Sequence, residues 1–223
     1  MRTTTSNSYG HHKRFDPGAD MSRGYAVAYA LNLTPWERAG TSGAAALDKL
    51  IARAETELGG PGRALDLGCG SGLHLVTLAQ RGWRVTGVEL IGKAVRRARA
   101  RVADAGVEAR VLQGDVTALD RTEVEGPYGL LLDIGCFHGL DDEQRAAMGR
   151  SATAVAAPDA LMILLAFRPG AVPKPLPRGA DATDIETAFP GWRFIDSEPA
   201  PTEGMPAPLR KAAPTFHLVR RTG

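Results

Sequence analysis

Residues 64–74 read ALDLGCGSGLH, and the order of apolar, acidic and glycine positions in this stretch decides the fold. An apolar strand ends at Asp66-Leu67. Gly68, Gly70 and Gly72 then let the backbone turn tightly and come close to a ligand before a helix that starts near Leu73. The free N–H groups and positive end of that helix favour a negatively charged group. Nicotinamide and flavin proteins share such a turn, so the glycines alone leave the ligand open. Asp66 narrows it, because a carboxylate two residues before the first glycine repels a pyrophosphate and attracts an ammonium. The competing reading makes Asp66 a turn cap. With Gly68, Cys69, Gly70 and Gly72 it forms the first group of candidate ligand contacts.

Working outward, Glu89 ends the next strand, 21 positions after Gly68, close to the spacing of a residue that receives ribose hydroxyls. Leu90 and Ile91 follow, apolar residues suited to one face of an adenine ring. Asp115, in LQGDVTAL (112–119), lies just past the third strand. Its carboxylate can accept from an exocyclic amine while the Val116 N–H donates to a ring nitrogen, with Gly114 beside them. Alone, Asp115 serves equally well as an N-cap for the residues after it; its register with Asp66 and Glu89 favours the ligand.

The surrounding pattern alternates strand and helix. An amphipathic helix over 43–58 is ended by Gly59-Gly60-Pro61, and strands are expected at 63–67, 84–89, 108–113, 128–134 and 161–167, with helices over 73–80, 92–105 and 141–156. This order implies a parallel sheet with right-handed crossovers. The runs Leu130–Leu132 and Leu161–Phe167 have the composition of strands buried on both faces. A Pro-rich loop at 168–179, a short helix at 184–189 and strands at 191–200 and 215–221 close the chain, the last two as an antiparallel hairpin at the sheet edge. Residues 1–40 form an N-terminal extension or substrate lid and 41–223 the ligand-binding domain.

The 223 residues suffice for one domain with a continuous core, and the net charge of +2 argues only weakly for nucleic acid. The basic run Lys93, Arg96, Arg97, Arg99, Arg101 has the spacing of a solvated helix face. Two cysteines give no disulfide framework or metal cluster. The absence of a long apolar run or a signal-like start predicts a cytoplasmic protein without a membrane partner. A monomer or homodimer is expected.

The three strand-end acids resemble the class I S-adenosylmethionine-dependent methyltransferases over roughly residues 43–221. More narrowly, PWE (35–37), LLDIGCFHGL (131–140) and DIETAFPGWRF (184–194) resemble the tellurite-resistance and thiopurine type of small-molecule methyltransferase. The resemblance implies an α/β, Rossmann-like three-layer sandwich. Its seven-stranded, mostly parallel sheet has the order 3-2-1-4-5-7-6 with the seventh strand antiparallel. It also implies S-adenosyl-L-methionine as cofactor, and it places the methyl group and its acceptor at the fourth-strand loop, Asp133-Ile134-Gly135-Cys136-Phe137-His138. Asp133 and Ile134 join the cofactor contacts on that basis. No Asn-Pro-Pro-Tyr, Asp-Pro-Pro-Tyr or Pro-Cys run stands there, which turns the expectation from nucleic acid to a small-molecule acceptor. The further Asp-Asn pair of metal-dependent catechol enzymes is missing too, so no metal is expected.

Within that loop His138 is the candidate general base, its ordinary pKa near 6.5 suiting proton removal from oxygen or nitrogen. Packing or helix capping is the competing role. Cys136 is read as packing, His74 as a helix-face residue, and His11 and His12 as solvated. Trp36 is a candidate cover for the sulfonium, and Tyr25, Tyr29, Phe137 and His138, with Phe15 behind them, are candidates for the acceptor pocket. The predicted reaction is in-line methyl transfer to an O, N or S atom. Two alternatives stay open: a methyltransferase-fold protein catalysing a non-methylating step such as a cyclisation in natural-product biosynthesis, and a nicotinamide-dependent oxidoreductase.

Overall fold

Alternate residues of each inner strand enter opposite cores, which is the period-2 signature of a sheet covered on both faces. Leu130 and Leu132 of β4 (Tyr128–Ile134) and Leu161 and Ile163 of β5 (Ala156–Ala166) join one core, where Leu131, Met162 and Leu164 join the other. The first core is closed by Leu47, Leu50 and Ile51 of α1 (Ala44–Leu58), Leu75 and Leu78 of α2 (Leu73–Gln80), and Val95 and Ala98 of α3 (Gly92–Asp104). The second is closed by Met148 and Ala152 of α4 (Asp142–Val155) and Ile185 of α5 (Ala182–Ala188). Each fully buried Leu or Ile contributes about 1.5–3 kcal/mol of burial free energy. The computed structural model describes residues 43–171, 177–203, 205 and 210–223.

The remaining strands are β1 (Arg63–Leu67), β2 (Arg84–Glu89), β3 (Ala109–Gln113), β6 (Trp192–Pro199) and β7 (Thr215–Arg221). They form a seven-stranded sheet in the order β3-β2-β1-β4-β5-β7-β6, as the resemblance implied. β1 pairs in parallel with both β2 and β4, and β7 lies antiparallel between β5 and β6. The strand order reverses at β1 and β4, so the loops after these two strands open the crevice where ligands of doubly wound sheets bind.

Two local differences from the sequence reading have physical causes. β5 starts at Ala156, directly after α4, with its register shifted between Tyr128 and Leu130 and Asp159 in the left-handed region at φ 58. The Ala-Pro-Asp-Ala composition there hides the irregular start. α5 starts at Ala182 because the Asp181 carboxylate accepts from the Asp184 N–H and the Asp184 carboxylate accepts from the Asp181 N–H, a reciprocal cap. Between β3 and β4 the described chain forms only a 3-10 turn, Leu119–Arg121.

Candidate functional site

The glycine turn is held open by geometry that side chains would destroy. Gly68, Gly70 and Gly72 have φ of 76°, 54° and 79°, in the left-handed region. A Cβ on Gly68 would stand 2.7 Å from the Cys136 Cβ, and one on Gly72 would stand 2.9 Å from the Ala98 Cβ. The Gly68 and Cys69 N–H groups both donate to the Val88 carbonyl, so the turn hangs from the end of β2. On its other side Arg101 of α3 donates through Nε to the Ser71 carbonyl at 2.9 Å and through Nη2 to the Ser71 Oγ at 3.3 Å. Arg99 donates to the Val111 carbonyl. The basic run on α3 is therefore not simply a solvated face: two of its arginines tie the helix to the ligand turn and to β3.

Three buried carboxylates lie under and beside this turn. Asp66 is 1% exposed, and its Oδ2 has no hydrogen-bond partner. Burial, then the neighbouring Asp133 and Glu89, push its pKa well up. Glu89 accepts from the Gly70 N–H at 3.0 Å and from the Ile91 N–H at 2.8 Å; burial raises its pKa, and these backbone bonds oppose the rise. It thus braces the glycine turn and keeps further lone pairs for a ligand. The Gly114 N–H donates to the Glu89 carbonyl, bringing the third strand end to the same place.

Asp133 is a correction. Expected to touch the ligand, it spends Oδ1 on the Gly135 and Cys136 N–H groups and Oδ2 on the Phe137 N–H, at 2.9–3.1 Å. Burial lifts its pKa to about 7, and the three N–H groups pull the other way. It organises the fourth-strand loop, and Ile134 beside it is half-buried. The Cys69 side chain is likewise turned inward, its Sγ 2.8 Å from where a Gly87 Cβ would stand, and its carbonyl accepts from the Gly72 N–H.

At the third strand end Asp115 is exposed, and its Oδ1 accepts from the Thr117 N–H at 2.8 Å and from the Thr117 hydroxyl at 2.7 Å. The capping role is thus real. Both bonds use Oδ1, which leaves Oδ2 as the oxygen suited to a ligand amine. Val116 is buried through its side chain, whereas Leu90 is 46% exposed, the large exposed hydrophobic side chain among the described residues. An apolar surface at that position suits a flat ring.

His138 is the second correction. Its ring is buried, stacks on Phe167 at 4.6 Å between centroids, and accepts the Phe167 N–H on Nδ1 at 3.0 Å. Burial, then Arg145, lowers its pKa to about 3. A group whose available lone pair is occupied and whose conjugate acid is that strong makes a poor base at neutral pH. It does not cap the following helix either, since Asp141 and Gln144 do so with a capping box. Phe137, expected in the acceptor pocket, is 1% exposed and packs on Phe189, with the Arg145 guanidinium over its ring at 5.0 Å from the centroid. Apolar neighbours on α5 draw it into the core.

Arg145 gave no signal in the sequence. It is 3% exposed, pairs with Asp184 at 3.1 Å, and donates to the carbonyls of Phe137, His138 and Gly179. His74 is half-buried on α2, with its pKa lowered to about 4 by burial and then by Arg101. Trp36, Tyr25, Tyr29, Phe15, His11 and His12 lie outside the described residues. Among the described residues no group of His, Cys, Asp and Glu is arranged to hold a metal, and no helix is long and apolar enough to cross a membrane.

Residues 64–159 match the model of a family described as a methyltransferase domain. Over these residues the chain is similar to a methyltransferase domain. In this chain the matched span runs from β1 into β5 and contains the ends of β1, β2, β3 and β4. The chain is 34% identical over 88 residues to a ribosomal RNA small subunit methyltransferase C of Alcanivorax borkumensis, covering 40% of this chain and 25% of that one. It is 29% identical over 143 residues to a 2-heptyl-1-hydroxyquinolin-4(1H)-one methyltransferase of Mycobacteroides abscessus, covering 62% of each. The chain thus spans between a quarter and about three-fifths of these relatives' lengths. Its fold is similar to that of the Burkholderia thailandensis 1,6-didemethyltoxoflavin-N1-methyltransferase, with a TM-score of 0.69, 19% identity, and coverage of 99% of this chain and 94% of that one.

Proposed function

We propose that this protein transfers a methyl group from S-adenosylmethionine to an O, N or S atom of a small-molecule acceptor. The carrying observation is the orphaned Asp66 Oδ2 beneath a backbone cradle of three left-handed glycines. A buried carboxylate oxygen without a partner is destabilising, and the remedy that fits is a cationic donor from the ligand. The α-ammonium of S-adenosylmethionine supplies one. Asp66 and the glycine turn would hold the amino-acid end, Glu89 the ribose hydroxyls, and Leu90, Asp115 and the Val116 N–H the adenine.

When bound, S-adenosylmethionine supplies an electrophilic methyl on a sulfonium, an excellent leaving group. What remains for the protein is to orient the acceptor and exclude water, contributions that reach roughly 7–11 kcal/mol in well-ordered sites. The loop 133–138, fixed by Asp133 and Arg145, gives a rigid wall for that purpose. The small-molecule reading is supported by the hydroxyquinolone methyltransferase and the toxoflavin N1-methyltransferase among similar proteins.

The test is titration calorimetry with S-adenosylmethionine, followed by an acceptor screen that reads S-adenosylhomocysteine and the methylated product together. Binding with both products supports the proposal. Binding with acceptor conversion but no methylated product favours the non-methylating alternative, and failure to bind S-adenosylmethionine overturns the assignment.

A further inference from the structure

The His138 ring has a fixed tautomer. Its Nδ1 accepts the Phe167 N–H, so the ring proton resides on Nε2. That Nε2 faces Gly135, 3.5 Å from where a Cβ would stand, and Gly135, at φ 91, carries no side chain to cap it. The charged group beside the ring is Arg145, a cation that opposes imidazolium formation. The other candidate bases of the fourth-strand loop are also committed. Asp133 accepts three N–H groups, and burial pushes the Cys136 thiol well up.

The geometry points to His138 as a neutral hydrogen-bond donor that positions the acceptor through Nε2–H, so that the site takes acidic acceptors that ionise by themselves, such as enols, phenols or N-hydroxy groups conjugated to a carbonyl. This inference rests on the methyl-transfer reading above. The proton of such an acceptor goes to solvent before binding. In the transfer the methyl–sulfur bond breaks with its electron pair staying on the sulfonium sulfur, and a lone pair of the ionised acceptor forms the new bond. No proton moves in that step. A donor aimed at the ionised acceptor orients it without competing for its proton.

Two variants separate this role from packing. His138→Asn keeps an acceptor near the Nδ1 position for the Phe167 N–H and removes the Nε2 donor, and His138→Gln keeps a donor near Nε2. With a series of acceptors of graded acidity, His138→Asn is expected to lower kcat/KM by about tenfold to a hundredfold, the range of a hydrogen bond to a charged partner. His138→Gln is expected to recover most of that loss, with S-adenosylmethionine affinity within about twofold of wild type for both. The pH profile of kcat/KM should inflect at each acceptor's own pKa. Nitrogen NMR should show a neutral Nε2–H ring from about pH 5 to 9.

An inflection at one fixed pH for all acceptors, a ring that titrates between about pH 6 and 8, or better activity in the asparagine variant than in the glutamine variant overturns the donor role. A ring held as Nε2–H together with no methylation of any acceptor overturns the methyl-transfer reading, and the donor role falls with it.

Discussion

The crevice has two halves that handle charge in opposite ways. At the ends of β1 and β2, Asp66 and Glu89 are buried carboxylates with raised pKa values, and one Asp66 oxygen has no partner. At the ends of β4 and β5 three polar side chains are answered within the protein: Asp133 by three N–H groups, Arg145 by Asp184 and three carbonyls, and the neutral His138 by the Phe167 N–H. The first half is electrostatically incomplete until a cation arrives. The second is complete and offers shape and a fixed donor. On the proposed function, such a site would select its cofactor by charge and its acceptor by fit.

The sharpest way to break this contrast is Asp66→Asn, which removes the charge but keeps the shape. S-adenosylmethionine affinity should fall about a hundredfold, in line with the loss of a charge-assisted bond to a buried partner. The ligand-free protein should gain stability at the same time, with Tm rising by a few degrees at pH 8. At that pH His74 and His138 are neutral in the folded and unfolded chain, so only the carboxylate cluster responds. Weaker binding with a lower Tm would mean Asp66 is a structural cap.

Next in size is Gly72→Ala. Its φ of 79° and the 2.9 Å approach to the Ala98 Cβ predict a destabilisation of about 1–3 kcal/mol, read by urea unfolding, together with weaker cofactor binding. The matching change in the other half, Asp133→Asn, retains acceptor capacity for part of the loop. It should reduce acceptor kcat/KM more than S-adenosylmethionine affinity.

The pH response sharpens the contrast further. Burial raises the folded pKa values of Asp66 and Glu89, and Asp133 lies near 7, so the stability tied to their protonation is present at low pH and is lost as pH rises through these values. An ammonium beside Asp66 favours the ionised form. Cofactor binding should therefore release protons, and affinity should rise from about pH 5 to about pH 7.5. Calorimetry in buffers of different ionisation enthalpy measures that release, and Asp66→Asn should reduce it.

The smallest expected effect is Arg101→Ala. The loss of its bonds to Ser71 loosens the glycine turn from outside, for a drop in cofactor affinity of about threefold to tenfold.

The same contrast explains what the sequence could and could not show. The placement of Asp66, Gly68, Gly70, Gly72 and Glu89 at one end of the sheet was legible because it follows from local order: strand, acid, glycine turn, helix, then strand and acid again. The sheet order came with them, through the family resemblance. The roles in the other half depend on partners remote in the chain. The Nδ1 of His138 is occupied by a backbone group 29 positions away, and the carbonyl of Gly179 reached by Arg145 lies 34 positions on. Spacing carries no trace of either contact, and a histidine beside an active strand end then looks like a base. Arg99 and Arg101 were hidden differently: long side chains on an amphipathic helix show the same pattern whether they end in water or on a carbonyl.

The most direct test of the account compares S-adenosylmethionine with its analogue lacking the α-amino group, by calorimetry, on the wild-type protein and on Asp66→Asn. The account predicts that the wild type prefers the natural cofactor by about a hundredfold and that the variant loses most of that preference. Equal preference in the two proteins would contradict it, because the ammonium would then be recognised by something other than Asp66.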